Sequence, residues 1–422
     1  MNADPAILMG SVAGSIAETT VDKAVSFWLE VENFADLAAA FSWNDAADAI
    51  EQLAARIVTM TGCSVDKTDI RLDCARVAVS RGGAIVGLSL SDVLIAAGSQ
   101  PYRCRDRAVV LALSARSASA VMDSRGAGLR GGRDRWLEDM QVAVAVCDAI
   151  HERRLYLLYQ PIVASPDADL VLYHECLARI VGRDGAEFAL GPQEFLPALE
   201  RLGLTRLFDA VVLREVLELL RGESGGCLGC NVSALSAVND LWWQDVRRVL
   251  LLEPGLASRL VIEITETAFL ADLPSAVAFA DMFRRLGSRI AIDDFGVGFS
   301  SLPTVIAMRP DIIKIAGTFV AAAEDDAGFG VLAALWRLCA CLAPHVVVEG
   351  ISGEWALDRA RDAGAVWFQG YWLQAPSLSR SHALGGGGLP PSELRGGKFG
   401  RGSEALSLLD TGRHWRVGGG MA

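Results

Sequence analysis

The sequence predicts an α/β protein in which a TIM-like (β/α)8 barrel follows a smaller α/β unit. Three observations carry that reading. Between about residues 136 and 383, short apolar runs rich in Val and Ile alternate with longer segments of helical spacing. Eight such runs fit the strand number of a barrel of this kind, which typically takes about 250 residues. Acidic and amide residues cluster at the C-terminal ends of the runs, where a barrel gathers its chemistry.

The predicted strands are Tyr156–Val163, Leu170–Arg179, Gly226–Ser233, Leu260–Thr267, Arg289–Phe295, Asp311–Ile315, Val346–Ile351 and Val366–Leu373. Helical patterns over Gln193–Leu202, Leu207–Leu220, Pro274–Leu286, Phe319–Leu342 and Glu354–Ala363 separate them. Within the second helical pattern, Leu207, Val211, Val212, Leu213, Val216, Leu217, Leu219 and Leu220 recur with helical spacing. Strand–helix alternation argues for parallel strands joined by crossover helices. Trp136–Arg154 reads as a helix leading into the barrel.

The flanking regions differ in composition. Residues 1–135 are Ala-rich, with a helix expected over Ala54–Met60 and a strand pair over Arg76–Leu88. Eight arginines between Arg103 and Arg135 run into glycines 126, 128, 131 and 132, which reads as solvated charge ending in a linker. Residues 384–422 are rich in Gly and Pro and predict a disordered tail.

Composition sets limits on function. Of the 422 residues 52% are hydrophobic and 21% charged, ordinary for a globular chain. A net charge of -12 argues against a DNA-binding protein or a basic nucleic-acid coat. A single phosphate-bearing ligand stays compatible with it, because a local field can oppose the global sign. No apolar run reaches the length of a membrane span, and the start lacks the basic segment of a secretory signal. The nine cysteines then read as reduced thiols of a cytoplasmic protein. The Cys227–Cys230 spacing finds no partner set among the five histidines to complete a zinc site.

The chemistry lies at the strand ends. Glu175, Asn231, Glu263, Glu266, Asp293, Asp294, Lys314, Glu349 and Gln369 all fall at or near the C-terminal end of a predicted strand. Glu263 is flanked by Val261, Ile262 and Ile264, Asp293 follows Ile290–Ile292, and Glu349 follows Val346–Val348. A charge inside an apolar strand is costly unless it is paired or bound to metal. One such charge fits a buried ion pair or a strand-end cap; five or more carboxylates converging on a single lysine cannot neutralise one another. Hard divalent cations resolve that repulsion, and an all-oxygen donor set suits Mg²⁺ or Mn²⁺. A pair of such ions is a clamp for phosphodiester hydrolysis, with Lys314 placed to orient or deprotonate water or to stabilise phosphorane charge.

Eight strings in order carry a resemblance. They are Tyr-Gln-Pro-Ile-Val (159–163), His-Glu-Cys-Leu-Ala-Arg (174–179), Asn-Val-Ser (231–233), Glu-Ile-Thr-Glu (263–266), Asp-Asp-Phe-Gly-Val-Gly-Phe-Ser-Ser-Leu (293–302), Pro-Asp-Ile-Ile-Lys-Ile (310–315), Val-Glu-Gly (348–350) and Phe-Gln-Gly-Tyr (368–371). Together they resemble the EAL class of cyclic-di-GMP phosphodiesterases. The resemblance implies an EAL-type barrel, a two-metal centre, and hydrolysis of cyclic-di-GMP to linear pGpG. It also implies barrel-to-barrel homodimers. By position it makes Glu175, Asn231, Glu263, Asp293 and Glu349 metal ligands, with Asp294 serving the second ion and Lys314 the water. Glu266 would hold the Asp-Asp-Phe-Gly loop, Gln369 would support ligand or water, Arg179 would meet a phosphate, and Gln160 and Pro161 would floor the guanine cleft.

The chain also departs from that pattern. Cys176 stands at the centre of the signature Glu-Ala-Leu, Ile180 where a Trp is usual, and Val297 where a Thr is usual. Ala316 and Ser352 each replace a carboxylate near the second metal. Losses around the ligands typically cost 10–100-fold in metal affinity or activity. The favoured function is therefore a cyclic-di-GMP phosphodiesterase, with a catalytically weak or inactive cyclic-di-GMP receptor or scaffold as the alternative. In the same family a GGDEF-type domain often precedes the barrel. No Gly-Gly-Asp-Glu-Phe string exists here, so residues 1–135 are expected to be a degenerate relative of it or an unrelated sensory or dimerisation module without cyclase activity.

Overall fold

The computed structural model describes residues 27–61, 64–70, 75–80, 89–117, 129, 132–164, 170–183, 188–222, 225–265, 272–298 and 301–380. The expected tail over 384–422 and the second half of the predicted strand pair over Arg76–Leu88 lie outside them.

The N-terminal unit is a four-stranded antiparallel sheet with helices packed on it. Its strands β1 (Phe27–Val31), β2 (Ser64–Ile70) and β3 (Ala75–Ser80), with β6 (Leu113–Ser117), run in the order β2-β3-β1-β6. A separate hairpin holds β4 (Tyr102–Cys104) and β5 (Arg107–Val109). The helix Trp43–Thr61 contains the predicted Ala54–Met60 segment and buries Ala46, Ala49, Ile50, Leu53 and Ile57. That spacing is one face of an amphipathic helix. The helix Leu90–Gly98 starts on a capping box between Ser89 and Asp92. Asp92 also pairs with Arg214 of the barrel at 2.8 Å, and the Ser91 amide donates to Asp245 at 3.2 Å, so this helix joins the two units.

The helix Gly132–His151 then leads to the barrel, as the sequence predicts. Its buried Asp139 is held by both arms of Arg201 at 2.7 Å. The barrel strands are β7 (Leu155–Val163), β8 (Val171–Val181), β10 (Leu228–Ser233), β11 (Leu260–Thr265), β12 (Arg289–Phe295), β13 (Ile312–Ile315), β14 (His345–Val348) and β15 (Trp367–Phe368), with β9 (Phe188–Leu190) added outside on β8. The order β10-β11-β12-β13-β14-β15-β7-β8 closes through pairing of β10 with β8. Trp243 sits in a short 3₁₀ turn and packs edge-on against Phe279 and Phe283. Among the described residues no helix is long and apolar enough to cross a membrane.

Two features differ from the sequence pattern. First, β7 runs antiparallel to both neighbours, β8 and β15, where alternation predicts parallel strands. Only residues 164–170 separate β7 from β8. A parallel crossover needs a dozen or more residues, about the length of a helix and its turns. Second, the single helix predicted over Phe319–Leu342 is two helices, Thr318–Ala321 and Asp326–Ala340. Asp325 caps the second by accepting from the Gly328 amide at 2.7 Å. A side chain at Gly328 would collide with the Ala322 carbonyl, so the chain turns tightly there.

The barrel interior is layered. Ile162, Tyr173, Val261, Ala291, Ile312 and Val347 form one buried apolar cluster, with Trp367 packed against it. On each parallel strand the residue two positions further on is polar: Glu175, Glu263, Asp293, Lys314, Glu349 and Gln369. Successive side chains alternate faces, so a two-residue step stays inside the barrel and rises by ~7 Å. On antiparallel β7 the step reverses, and Gln160 precedes Ile162. A polar layer thus lies directly above an apolar plug.

The ends of β13 and β14 are locked by backbone contact. A Cβ at Gly317 would stand 2.7 Å from the Gly350 Cα, and Gly350 itself has φ +70°. Gly317→Ala is expected to lower stability by ~1–3 kcal/mol, the usual cost of overpacking. Gly330 lies inside the helix Asp326–Ala340 with open space at its Cβ position. Gly330→Ala is expected to raise stability by ~0.5–1 kcal/mol. Urea unfolding midpoints of the two variants must move in opposite directions.

Candidate active site

The centre of the polar layer is the Lys314 ammonium, fully buried. Glu175 Oε2 lies 2.9 Å from its Nζ, Glu263 Oε2 2.8 Å, Asp293 Oδ1 2.7 Å and Glu349 Oε1 2.9 Å. Each carboxylate arrives on a different strand, which is why spacing along the chain ranges so widely while the atoms converge. Lysine has three donors and no acceptor. One ammonium facing four carboxylates leaves negative charge uncompensated inside the barrel.

Amides complete the arrangement. Asn231 Nδ2 donates to Glu175 Oε1 at 2.7 Å, and Gln369 Nε2 donates to Glu175 Oε2 at 2.6 Å. Gln369 also reaches Gln160 Oε1 at 3.3 Å, and Gln160 Nε2 donates to the Gln374 carbonyl at 3.1 Å. Tyr173, missed by the sequence reading, donates its hydroxyl to Glu263 Oε2 at 3.1 Å. Gly229 was missed as well: a Cβ there would fall 2.0 Å from Glu263 Oε1 and 2.6 Å from the Tyr173 ring. Both carry sequence signals. Tyr173 shares the inward face of Glu175 by strand alternation, and a glycine inside a strand marks close approach.

The electrostatics follow from burial and crowding. Burial pushes the Glu263 carboxyl up to about 8, with Lys314 opposing and Glu175 and Asp293 adding repulsion. Asp293 is raised, by burial first and by Glu175 and Asp294 besides. Glu349 is held well above its ordinary range by burial, with Lys314 pulling the other way and Asp293 and Glu175 repelling it. Glu175 moves down: burial raises it, but Lys314, Gln369 and Asn231 together outweigh that. Burial alone would lower Lys314, yet the surrounding carboxylates hold it well above its ordinary value. As found, Lys314 is a cation, a donor rather than a base.

A divalent ion fits this donor set. Ligand oxygens of Glu175, Glu263 and Asp293 lie within 4.8 Å of one another, all on buried residues. Asn231 Oδ1 and Glu263 Oε1 are buried without a hydrogen-bond partner. Lone pairs without a donor, in a layer of excess negative charge, are what an oxygen-liganded cation satisfies.

Of the remaining candidates, Arg179 lies four residues beyond Glu175 on β8, on the same face and nearer the rim by ~13 Å of strand. It is half-buried, and its Nη1 donates to the Ala178 carbonyl at 2.8 Å. Asp294 directly follows Asp293 in the left-handed region at φ 54°, where β12 shifts register against β13. Glu266 lies outside the described residues. Ala316 is buried directly after β13, and Ser352 is exposed beyond Gly350. Cys176 and Cys230 are buried free thiols pushed up by burial, which keeps them protonated.

Comparison with known proteins agrees with this geometry. The sequence model of the EAL domain matches residues 143–376. The bifunctional diguanylate cyclase/cyclic di-GMP phosphodiesterase MucR of Pseudomonas aeruginosa is 27% identical over 245 residues, covering 57% of this chain and 35% of that protein. The cyclic di-GMP phosphodiesterase PdeF of Escherichia coli is 25% identical over 233 residues, covering 54% of this chain and 30% of that protein. This chain therefore spans about a third of the length of those two curated relatives. The solved S helix-GGDEF-EAL portion of Vibrio cholerae LapD, bound to c-di-GMP, has a like fold. That match covers 86% of this chain and 92% of that one, with TM-score 0.51 and 18% identity.

Glu263 gives a pH dependence with a definite sign. An unfolded glutamate titrates near about 4.3, against about 8 in the folded chain. Between those values the folded state holds a proton that the unfolded state has released. This group's contribution to stability is therefore fully present below pH ~4.3 and falls as pH rises toward ~8. In EDTA, thermal unfolding of Glu263→Gln must lose less stability between those limits than the wild type. With Mn²⁺ added to the wild type, the gain in melting temperature must grow with pH, because metal competes with protons for the same oxygens.

Proposed function

The chain belongs to the EAL domain family, and from that premise we propose that it is a metal-dependent phosphodiesterase that hydrolyses cyclic-di-GMP to linear pGpG. The observation that carries the reading is the convergence of Glu175, Glu263, Asp293 and Glu349 on Lys314, with Asn231 alongside. Glu175, Asn231, Glu263, Asp293 and Glu349 are the ligands for Mg²⁺ or Mn²⁺, and Asp294 serves a second ion. Such ions, when bound, polarise a phosphate and acidify the attacking water.

The chain's own residues hold everything else in place. Asn231 and Gln369 fix both oxygens of Glu175, so that carboxylate cannot turn away. Gln160, tied to Gln374 and Gln369, lies at the floor of the ligand cleft. Arg179, on the rim side of the same strand as Glu175, presents a guanidinium to a ligand phosphate. Lys314 donates to charge developing on the phosphoryl oxygens. Hydrolysis adds one water across one of the two phosphodiesters of the ring. The P–O3′ bond breaks, the 3′ oxygen takes a proton, and the linear dinucleotide leaves.

A second reading has a specific observation behind it. Ala316 and Ser352 stand where the resemblance places carboxylates, one just beyond β13 and the other beyond β14. That favours a receptor that holds the cyclic dinucleotide and turns it over slowly or not at all. In either case the N-terminal unit, residues 1–135 ahead of a barrel over 136–383, is a degenerate GGDEF-like domain or an unrelated sensory or dimerisation module, acting with the barrel in the cytoplasm.

The purified 422-residue chain incubated with cyclic-di-GMP and Mn²⁺ separates the readings. Linear product from the wild type, absent from Glu175→Ala and abolished by EDTA, is the expected outcome. Tight binding without product selects the receptor, and neither binding nor product rejects both. The Ala316→Asp, Ser352→Glu double variant is expected to raise turnover by ~10–100-fold if those positions limit it.

A further inference from the structure

Seven of the eight barrel strands place a side chain in the layer beneath the polar one; β10 places Gly229 there. The space is taken from the neighbouring strand. Tyr173 on β8 is fully buried, and its ring lies over Gly229, close enough that any side chain at 229 would strike it. The phenol ends at Glu263, donating to Oε2 at 3.1 Å, while the same oxygen faces Lys314 Nζ at 2.8 Å. Glu263 Oε1 points the other way. It has no hydrogen-bond partner and occupies the room that the missing Gly229 side chain leaves.

We propose that Tyr173 is a positioning residue for Glu263: its hydroxyl engages Oε2 so that Oε1, seated over Gly229, is presented as a metal donor. The proposal rests on reading the polar layer as a divalent-metal centre. A carboxylate on a glutamate stem has a freely rotating last torsion. Lys314 alone cannot choose between its two oxygens, because an ammonium is a point charge shared here by four carboxylates. A directional O–H donor can choose. Groups that orient metal ligands typically change affinity by 10–100-fold when removed. Filling space would need only the ring, so phenylalanine separates the two roles.

The test is Mn²⁺ binding to the 422-residue chain by titration calorimetry at a temperature where circular dichroism shows wild type and variants equally folded. Tyr173→Phe keeps the ring and is expected to bind Mn²⁺ ~10–100-fold more weakly. Gly229→Ala puts a Cβ against both Glu263 Oε1 and the Tyr173 ring, and is expected to weaken binding at least as much. Wild type that binds Mn²⁺ while Tyr173→Phe stays within about twofold of it overturns the positioning role and leaves the metal centre standing. Wild type that binds no Mn²⁺ overturns both. Gly229→Ala that binds like the wild type refutes the seat for Oε1 and the proposal with it.

Discussion

A lysine ammonium enclosed by four carboxylates inside a barrel is the constraint on which the rest of this molecule depends. Such a group can exist only if the chain delivers each charge from a separate strand, above an apolar plug that keeps water from entering beneath. The two-residue step does both. It converts the alternation of a β-strand into two stacked rings, one of Val, Ile, Ala and aromatic side chains, the other of charges and amides. Burial strengthens every interaction in the upper ring and equally penalises any carboxylate left without a partner. The excess of negative charge is tolerable as a binding site for cations and costly as anything else.

Much of this was legible in the sequence because charges embedded in apolar strands are rare enough to be informative. Glu263 after Val261 and Ile262, or Glu349 after three valines, has few explanations other than a barrel mouth. The strands themselves followed from Val and Ile content, and β12 lies over Arg289–Phe295 as read from the pattern. What was illegible depends on the third dimension. The reversal of β7 is a matter of linker length against crossover length. The break in the helix after Ala321 turns on one glycine pressed to a carbonyl. Tyr173 reads as an ordinary core aromatic until the strand beside it is seen to lack a side chain. Glu266 stands in the strings that suggested the site but lies outside the described residues.

Among the described residues, polar contacts join helices of the N-terminal unit to helices of the barrel. Asp92 and Ser91 touch Arg214 and Asp245, and Asp139 of the entering helix is clasped by Arg201. Arg214 belongs to the helix Thr205–Gly222 that precedes β10, the strand of Asn231 and Gly229. A chain of contacts therefore runs from the helix Leu90–Gly98 of the first unit, through the Asp92–Arg214 ion pair and the helix Thr205–Gly222, to the strand paired beside that of Glu263. The likeness of fold to the S helix-GGDEF-EAL portion of LapD covers 86% of this chain.

The contact between Gly317 and Gly350 has an evolutionary corollary. Because main chain touches main chain there, the gap between the loops carrying Ala316 and Ser352 is fixed without help from either side chain. Substitutions can therefore accumulate at those two positions while the spacing of the loops that carry them is inherited unchanged.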